Sequence, residues 1–169
     1  MASQPTDLYA MSRPIAVRRL NWIRRQLRRA HSLSLRDWQT LAVSTLLLPV
    51  LDTAARVVRP ARLLAWSTRV RSHRRPVSPG ELERTVRLVR FAADHHAWHM
   101  RCLARSLTLG RILAARGVPV DVRIGVRCNG RELEAHAWVE LAGTPINDAR
   151  AVHDEYAAFE SRAWGDIRV

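Results

Sequence analysis

The sequence predicts an α+β fold, with helices first and an antiparallel sheet after them. Three observations lead there. Arginine-rich segments with apolar residues at helical spacing fill the first part of the chain. Ser78-Pro79-Gly80-Glu81 then announces another helix, because serine can cap, proline suits the first turn, and a glutamate three residues after the serine completes a capping box. Finally, Val118, Val120, Val122, Ile124 and Val126 alternate strictly, and Asn129-Gly130 follows as a hairpin signal.

The elements follow in order. Residues 1–13 read as a frayed end. Residues 14–30 read as a basic helix, with Leu20, Ile23 and Leu27 at helical spacing and Arg18, Arg19, Arg24, Arg25, Arg28 and Arg29 around them. Residues 35–58 form a more apolar helix bent at Pro49. Residues 60–76 give a helix and then a linker ending at Pro76. The capped helix from Ser78 runs to about Ala93, and residues 94–101 break the pattern. A helix from about Cys102 to Arg116 stops at Gly117, a residue suited to a left-handed C-cap. A strand over 118–126, its hairpin partner over 132–141, a turn at Gly143, a third strand over 145–148, and a short helix from His153 complete the chain. The expected organisation is a basic helical region, 1–76, followed by a core, 77–169, in one compact unit.

The chain has 169 residues, enough for one domain with a real core. Its formal charge is +13, and all 28 basic residues are arginine. Charge of that size suits an acidic partner, whether nucleic acid, anionic membrane or acidic peptide. No zinc finger, glycine-rich loop or other nucleic-acid recognition element accompanies it, so nucleic acid is not expected as the partner. Two cysteines, Cys102 and Cys128, are too few for a disulfide scaffold, which points to a reducing, cytoplasmic setting. The N-terminus lacks the basic-then-apolar order of a signal peptide. The longest apolar stretch, 41–51, is too short to span a bilayer, so no transmembrane segment is expected.

Cys102, His136 and Asp148 form the candidate site. A cysteine at a helix start meets free backbone N–H groups that favour a thiolate. An imidazole must serve as its base, and a third group must orient that imidazole. His136 lies on a strand, and a tight turn near Gly143 brings Asp148 roughly opposite it. Taken singly, each residue has a bland explanation: a structural cysteine, a satisfied strand histidine, a turn aspartate.

The ordered set Cys102-Leu103, Ser106-Leu107, Gly117, Ile124-Gly125-Val126, His136-Ala137-Trp138-Val139-Glu140 and Asp148 resembles the leader peptidase of lasso-peptide biosynthesis, the protease half of the so-called B protein. The resemblance covers about residues 80–150. It implies a transglutaminase/papain-like core with a catalytic helix packed on an antiparallel sheet. It also implies Cys102 as nucleophile, His136 as general base and Asp148 as its orienter, with no metal and no organic cofactor. The implied reaction removes the leader of a precursor peptide. The implied partners are that precursor, a separate leader-recognition protein of winged-helix type, and an ATP-dependent macrolactam cyclase that acts afterwards. Residues 1–76 show no strand alternation from which a leader-binding winged helix could be built, so the chain resembles the split form of the family.

Three alternatives stand beside this reading. A transglutaminase-like enzyme would use the same three residues for amide transfer. A non-catalytic nucleic-acid binder would account for the charge alone. A zinc protein would use His95, His99 and Cys102, which share one face if the helix from Ser78 runs through them; His96 has no evident role. In the hairpin, a loop of Asn129-Gly130 pairs Cys128 with Arg131, Ile124 with Ala135 and Val122 with Ala137. His136 then shares a face with Trp138, Arg123 and Asp121. The helix of Cys102 is expected on that histidine face; either both faces are covered, which is the favoured arrangement, or a bulge shifts the parity and places His136 beside Ile124. Cys128 is expected as a small buried thiol on the apolar face.

Overall fold

The computed structural model describes residues 33–70 and 77–159. The expected basic helix over 14–30, the linker into Pro76 and the C-terminal end beyond residue 159 lie outside the described residues. Two compact units divide the chain, Met1–Arg36 and Asp37–Val169. The helices assigned from sequence to the N-terminal region therefore belong, from Asp37 onward, to the same unit as the core.

Helix α1, Leu35–Val57, runs through Pro49. Asp37, Thr40, Ser44, Leu48 and Leu51 are buried at spacings of three and four, one side of a helix. Trp38, Val43, Leu46 and Val50 are exposed. The helix is longer than the apolar stretch 41–51 and, by length and composition, is long and apolar enough to cross a membrane. Helix α2, Pro60–Thr68, starts on its proline and packs Leu63 with Leu51 and Leu107. Helix α3, Pro79–Asp94, opens with the expected capping box: Glu81 N–H donates to Ser78 Oγ, and Ser78 N–H donates to Glu81 Oε2. Arg84 reaches the buried Asp37 carboxylate at 2.7 Å and joins α3 to α1.

Helix α4, Cys102–Ala115, lies at the centre of the unit. Its sequence is apolar nearly all round, as a helix covered on several sides requires, and Leu107 and Leu113 are wholly buried. Gly117 ends it at φ +83°, with Gly117 N–H donating to Ala114 O and Val118 N–H to Leu113 O. This is the two-bond C-cap that favours glycine. The cap takes the N–H of Val118, and the strand expected from residue 118 begins instead at Asp121.

Four antiparallel strands follow in the spatial order β3-β2-β1-β4: β1 Asp121–Asn129, β2 Glu132–Leu141, β3 Thr144–Pro145 and, after the short helix α5 (Val152–Glu155), β4 Ala157–Ala158. Strand β4 pairs Gly125 with Ala158 and Val126 with Ala157, an edge with no counterpart among the expected elements. The hairpin register also differs from expectation. Asn129 pairs with Glu132, so the loop is Gly130-Arg131, with glycine at φ +65° in its first position. Ile124 pairs with Ala137 and Val122 with Val139. The slip is two residues, so each side chain keeps its expected face.

The helix of Cys102 packs on the opposite face from the one expected. Leu109, Ile112 and Leu113 join Val122 and Val139 in the largest core cluster. A Cβ at Gly110 would stand 2.9 Å from Val122 Cγ2, so the glycine allows helix and sheet to approach closely. An apolar helix gains most by covering the valine face. The histidine face is covered by the chain around α5 and β4. Cys128 is exposed, not buried, because its end of the hairpin also leaves its partner Leu133 exposed.

Candidate active site

Cys102 is the first residue of α4, and its side chain is partly exposed. The preceding Arg101 takes the N-cap position with no side-chain cap, unlike Ser78 on α3. The first N–H groups of α4 therefore keep their donor capacity beside the thiol. Arg101 instead reaches across to α1, where its Nε–H donates to Asp52 Oδ1 at 2.8 Å and its Nη2–H to Asp52 O at 2.7 Å. The Arg101 guanidinium, with Arg56 adding, holds the Asp52 carboxyl below its ordinary range, against the opposing effect of burial. Asp52 in turn raises the Arg101 guanidinium, and the charge of Cys102 acts in the same direction.

His136 lies on β2 opposite Gly125. Alternation places His136, Trp138 and Glu140 on one face, and each supports the next. The His136 ring lies 6.2 Å from the Trp138 ring at 21°, and 5.1 Å from Tyr156. Trp138 is fully buried, and its Nε1–H donates to Glu140 Oε1 at 2.7 Å. Glu140, also buried, meets Arg123 at 3.2 Å and His153 at 3.5 Å. Gly125 makes room for the indole: a Cβ there would stand 2.9 Å from Trp138 Cη2 and 3.0 Å from Ala157 O. Arg127 sits 4.7 Å over the ring of Tyr156 and pairs with Glu134 and Glu155.

Asp148 arrives by the expected turn. Ala142 at φ +49° and Gly143 at φ +77° form the two-residue loop between β2 and β3. Strand β3 ends sooner than expected, after Pro145. Asn147 Oδ1 accepts the N–H of Val139 at 2.7 Å, where a continuing strand would have offered a main-chain carbonyl. The chain turns there, and His136 Nε2–H donates to Asp148 Oδ2. The other Asp148 oxygen accepts the N–H of Ala149 at 2.8 Å.

Cys102, His136 and Asp148 line one cleft of about 620 Å³. Its apolar wall includes Val86, Val89, Leu109 and Ile146, and Arg90, Arg105 and His99 add basic groups. The structure thus brings all three sequence-selected residues to one cavity. Asp154, the next aspartate along the chain, lies in α5 and is not among the cleft residues.

The His95, His99, Cys102 helix face does not form, because α3 ends at Asp94 and the chain is irregular until α4. His95 serves the end of α3, with its Nδ1–H donating to Phe91 O at 2.9 Å and its ring stacked on Phe91 at 4.0 Å. His96 Nδ1 accepts the N–H of Trp98 at 3.3 Å. Among the described residues, no group of three or more His, Cys, Asp or Glu is placed to hold a metal ion.

The chain belongs to the transglutaminase-like superfamily, whose family model matches residues 45–161, more than half of it. The match takes in most of α1 and every later element through β4. One similar curated protein is the microcin J25-processing protein McjB of Escherichia coli, 41% identical over 54 residues. The matched part is 32% of this chain and 25% of that protein, so the chain covers only about a quarter of its relative's length. No solved structure matches the chain.

Proposed function

We propose that this chain is a cysteine peptidase that removes the leader from a ribosomally made lasso precursor peptide. The observation that carries the reading is the hydrogen bond of His136 to Asp148 within a cleft that Cys102 also lines. Membership in the transglutaminase-like family and likeness to a microcin-processing protein support it. Asp148 holds the proton on Nε2 and leaves Nδ1 as the basic nitrogen. His136 takes the thiol proton, and Cys102 Sγ attacks the carbonyl carbon of the last leader residue. The uncapped N–H groups at the start of α4 stabilise the oxyanion that forms. The C–N bond breaks as the imidazolium gives its proton to the departing amine. His136 then deprotonates a water, which attacks the thioester; the C–S bond breaks, and the thiol is restored.

Amide transfer would use the same steps with an amine in place of water. Hydrolysis is favoured by water access, since the His136 and Asp148 side chains are 27% and 31% exposed. The chain acts in the cytoplasm. Its partners are the precursor, a separate winged-helix recognition protein that brings the leader to high local concentration, and a macrolactam cyclase that takes the product. The arginines at 24, 25, 28 and 29 meet acidic groups of the recognition protein.

The test is cleavage of a precursor peptide, with and without the recognition protein, read by mass spectrometry. Cys102→Ala abolishes cleavage, Cys128→Ala keeps most of it, and the recognition protein raises the wild-type rate. A Cys102→Ala chain that cleaves near the wild-type rate overturns the reading, and an amide product in place of a free leader carboxylate replaces it with acyl transfer.

A further inference from the structure

Four residues beside the triad form a connected set of hydrogen bonds. Ser106 lies one turn after Cys102 on α4, and its side chain is fully buried. Its Oγ–H donates to Ala137 O at 2.9 Å, the carbonyl next after His136 on β2. The same Oγ accepts from Asn147 Nδ2 at 3.3 Å, and Asn147 immediately precedes Asp148. Asn147 Oδ1 completes the set by accepting the N–H of Val139. The helix of Cys102, the strand of His136 and the segment of Asp148 thus meet at one hydroxyl and one amide.

We infer that Ser106 and Asn147 are positioning residues that set the relative placement of Cys102, His136 and Asp148. This inference rests on the proposed peptidase reading and extends it to residues that touch no substrate. The β2 strand and the Asp148 segment are also joined by His136 to Asp148 and by Ile146 N–H to Val139 O, but the helix of Cys102 meets both through this hydroxyl, and side-chain packing fixes separation well and sliding poorly. Hydrogen bonds are directional, and that of Ser106 to Ala137 O is buried away from competing water. The serine has one donor and uses it on β2, while the amide uses its oxygen on β2 and its nitrogen on the serine, so neither can shift without losing a bond. Asn147 also takes the N–H that would have extended β3, which makes it the cause of the turn that presents Asp148. Small displacements of this kind are costly, since a misplacement of about 1 Å can reduce a rate roughly 100-fold.

A nearby residue provides the contrast. Thr108, on the same helix and just as buried, has a hydroxyl with no hydrogen-bond partner among the described residues. Its removal costs a buried polar atom that is bonded to nothing, so Thr108→Val separates loss of a bridge from loss of a hydroxyl.

The experiment uses the full chain carrying Cys128→Ala, so that Cys102 is the only thiol. Ser106→Ala, Ser106→Thr, Asn147→Ala, the Ser106→Ala/Asn147→Ala double variant and Thr108→Val are compared by circular dichroism, precursor cleavage, and the rate of iodoacetamide alkylation at pH 7. In Ser106→Ala and Asn147→Ala, kcat falls about 10- to 100-fold with KM within about twofold, and alkylation slows because thiol and imidazole no longer meet. The double variant loses little more than either single one, since both break the same bridge. Ser106→Thr restores most of the rate through its hydroxyl, and Thr108→Val changes neither readout. If Ser106→Ala does not fold, Asn147→Ala at the cleft edge carries the test alone. Folded Ser106→Ala and Asn147→Ala chains that keep wild-type kcat and alkylation overturn the inference and leave the peptidase reading standing. A chain in which Cys102→Ala still cleaves overturns the reading itself.

Discussion

His136 on β2 and Asp148 just past β3 are joined Nε2 to Oδ2, twelve residues apart in the chain and brought together by the turn at Ala142-Gly143. The bond selects one tautomer of the imidazole and directs the other ring nitrogen away from the carboxylate.

That geometry sets different penalties for the two residues. His136→Ala should reduce precursor cleavage as severely as Cys102→Ala, because it removes the imidazole that Asp148 holds; His99, which also lines the cleft, is not the partner of Asp148. Asp148→Ala should cost less, roughly tens to thousands of fold in kcat, since the carboxylate orients the ring and does not accept the proton. Single-turnover cleavage rates of the three variants check this. A sensitive Asp154 beside a tolerant Asp148 would contradict the pairing.

Stability toward acid should depend on Asp52. Its folded carboxyl titrates below the ordinary carboxylate range because Arg101 and Arg56 favour the charged form. The stabilisation is therefore fully present above the unfolded value of about 4 and is lost as pH falls through the lower folded value. Asp52→Asn should cost about 1–2 kcal/mol at pH 7 and flatten the dependence of stability on pH below about 4. Urea denaturation of both chains at a series of pH values measures it, and parallel curves for the two would refute it.

Two glycines should respond with opposite signs. Gly125→Ala puts a methyl within 3.0 Å of Trp138 and the Ala157 carbonyl, so the indole and β4 must move. The cost should be about 1–3 kcal/mol, with a loss of activity because Trp138 supports His136. Gly80, in the first turn of α3, has nothing within 4 Å of a Cβ. Gly80→Ala should stabilise by about 0.5 kcal/mol through lower unfolded-state entropy, with activity unchanged. Thermal melts and cleavage assays of the two variants decide both.

Chelation distinguishes the thiol chemistry from any metal-dependent one. EDTA should leave cleavage unchanged, while alkylation of Cys102 should stop it. Stoichiometric zinc that leaves the purified protein together with its activity would reverse the assignment.

Local signals made much of this protein legible from sequence. The capping box at Ser78 and Glu81, the stop at Gly117, the bounds of β2 and the turn at Gly143 each depend on a few neighbouring residues, because capping and turn conformations are chosen by nearby backbone chemistry. Cys102, His136 and Asp148 were also legible, through residue type, order and resemblance. Non-local competition decided the rest. The hairpin closed on Gly130-Arg131 in place of Asn129-Gly130, because pairing along nine residues of β1 outweighs the preference of one dipeptide. The pairing of β4 with β1 leaves no mark in Ala157-Ala158, since two alanines carry no alternation. Helix α4 took the valine face in place of the histidine face because burial of apolar area, a property of the whole assembly, fixes which sides meet. The bridge of Ser106 and Asn147 belongs to the same class: chain order puts one polar residue a turn after Cys102 and the other beside Asp148, but long-range packing chose the one buried hydroxyl that a helix, a strand and a turn would share.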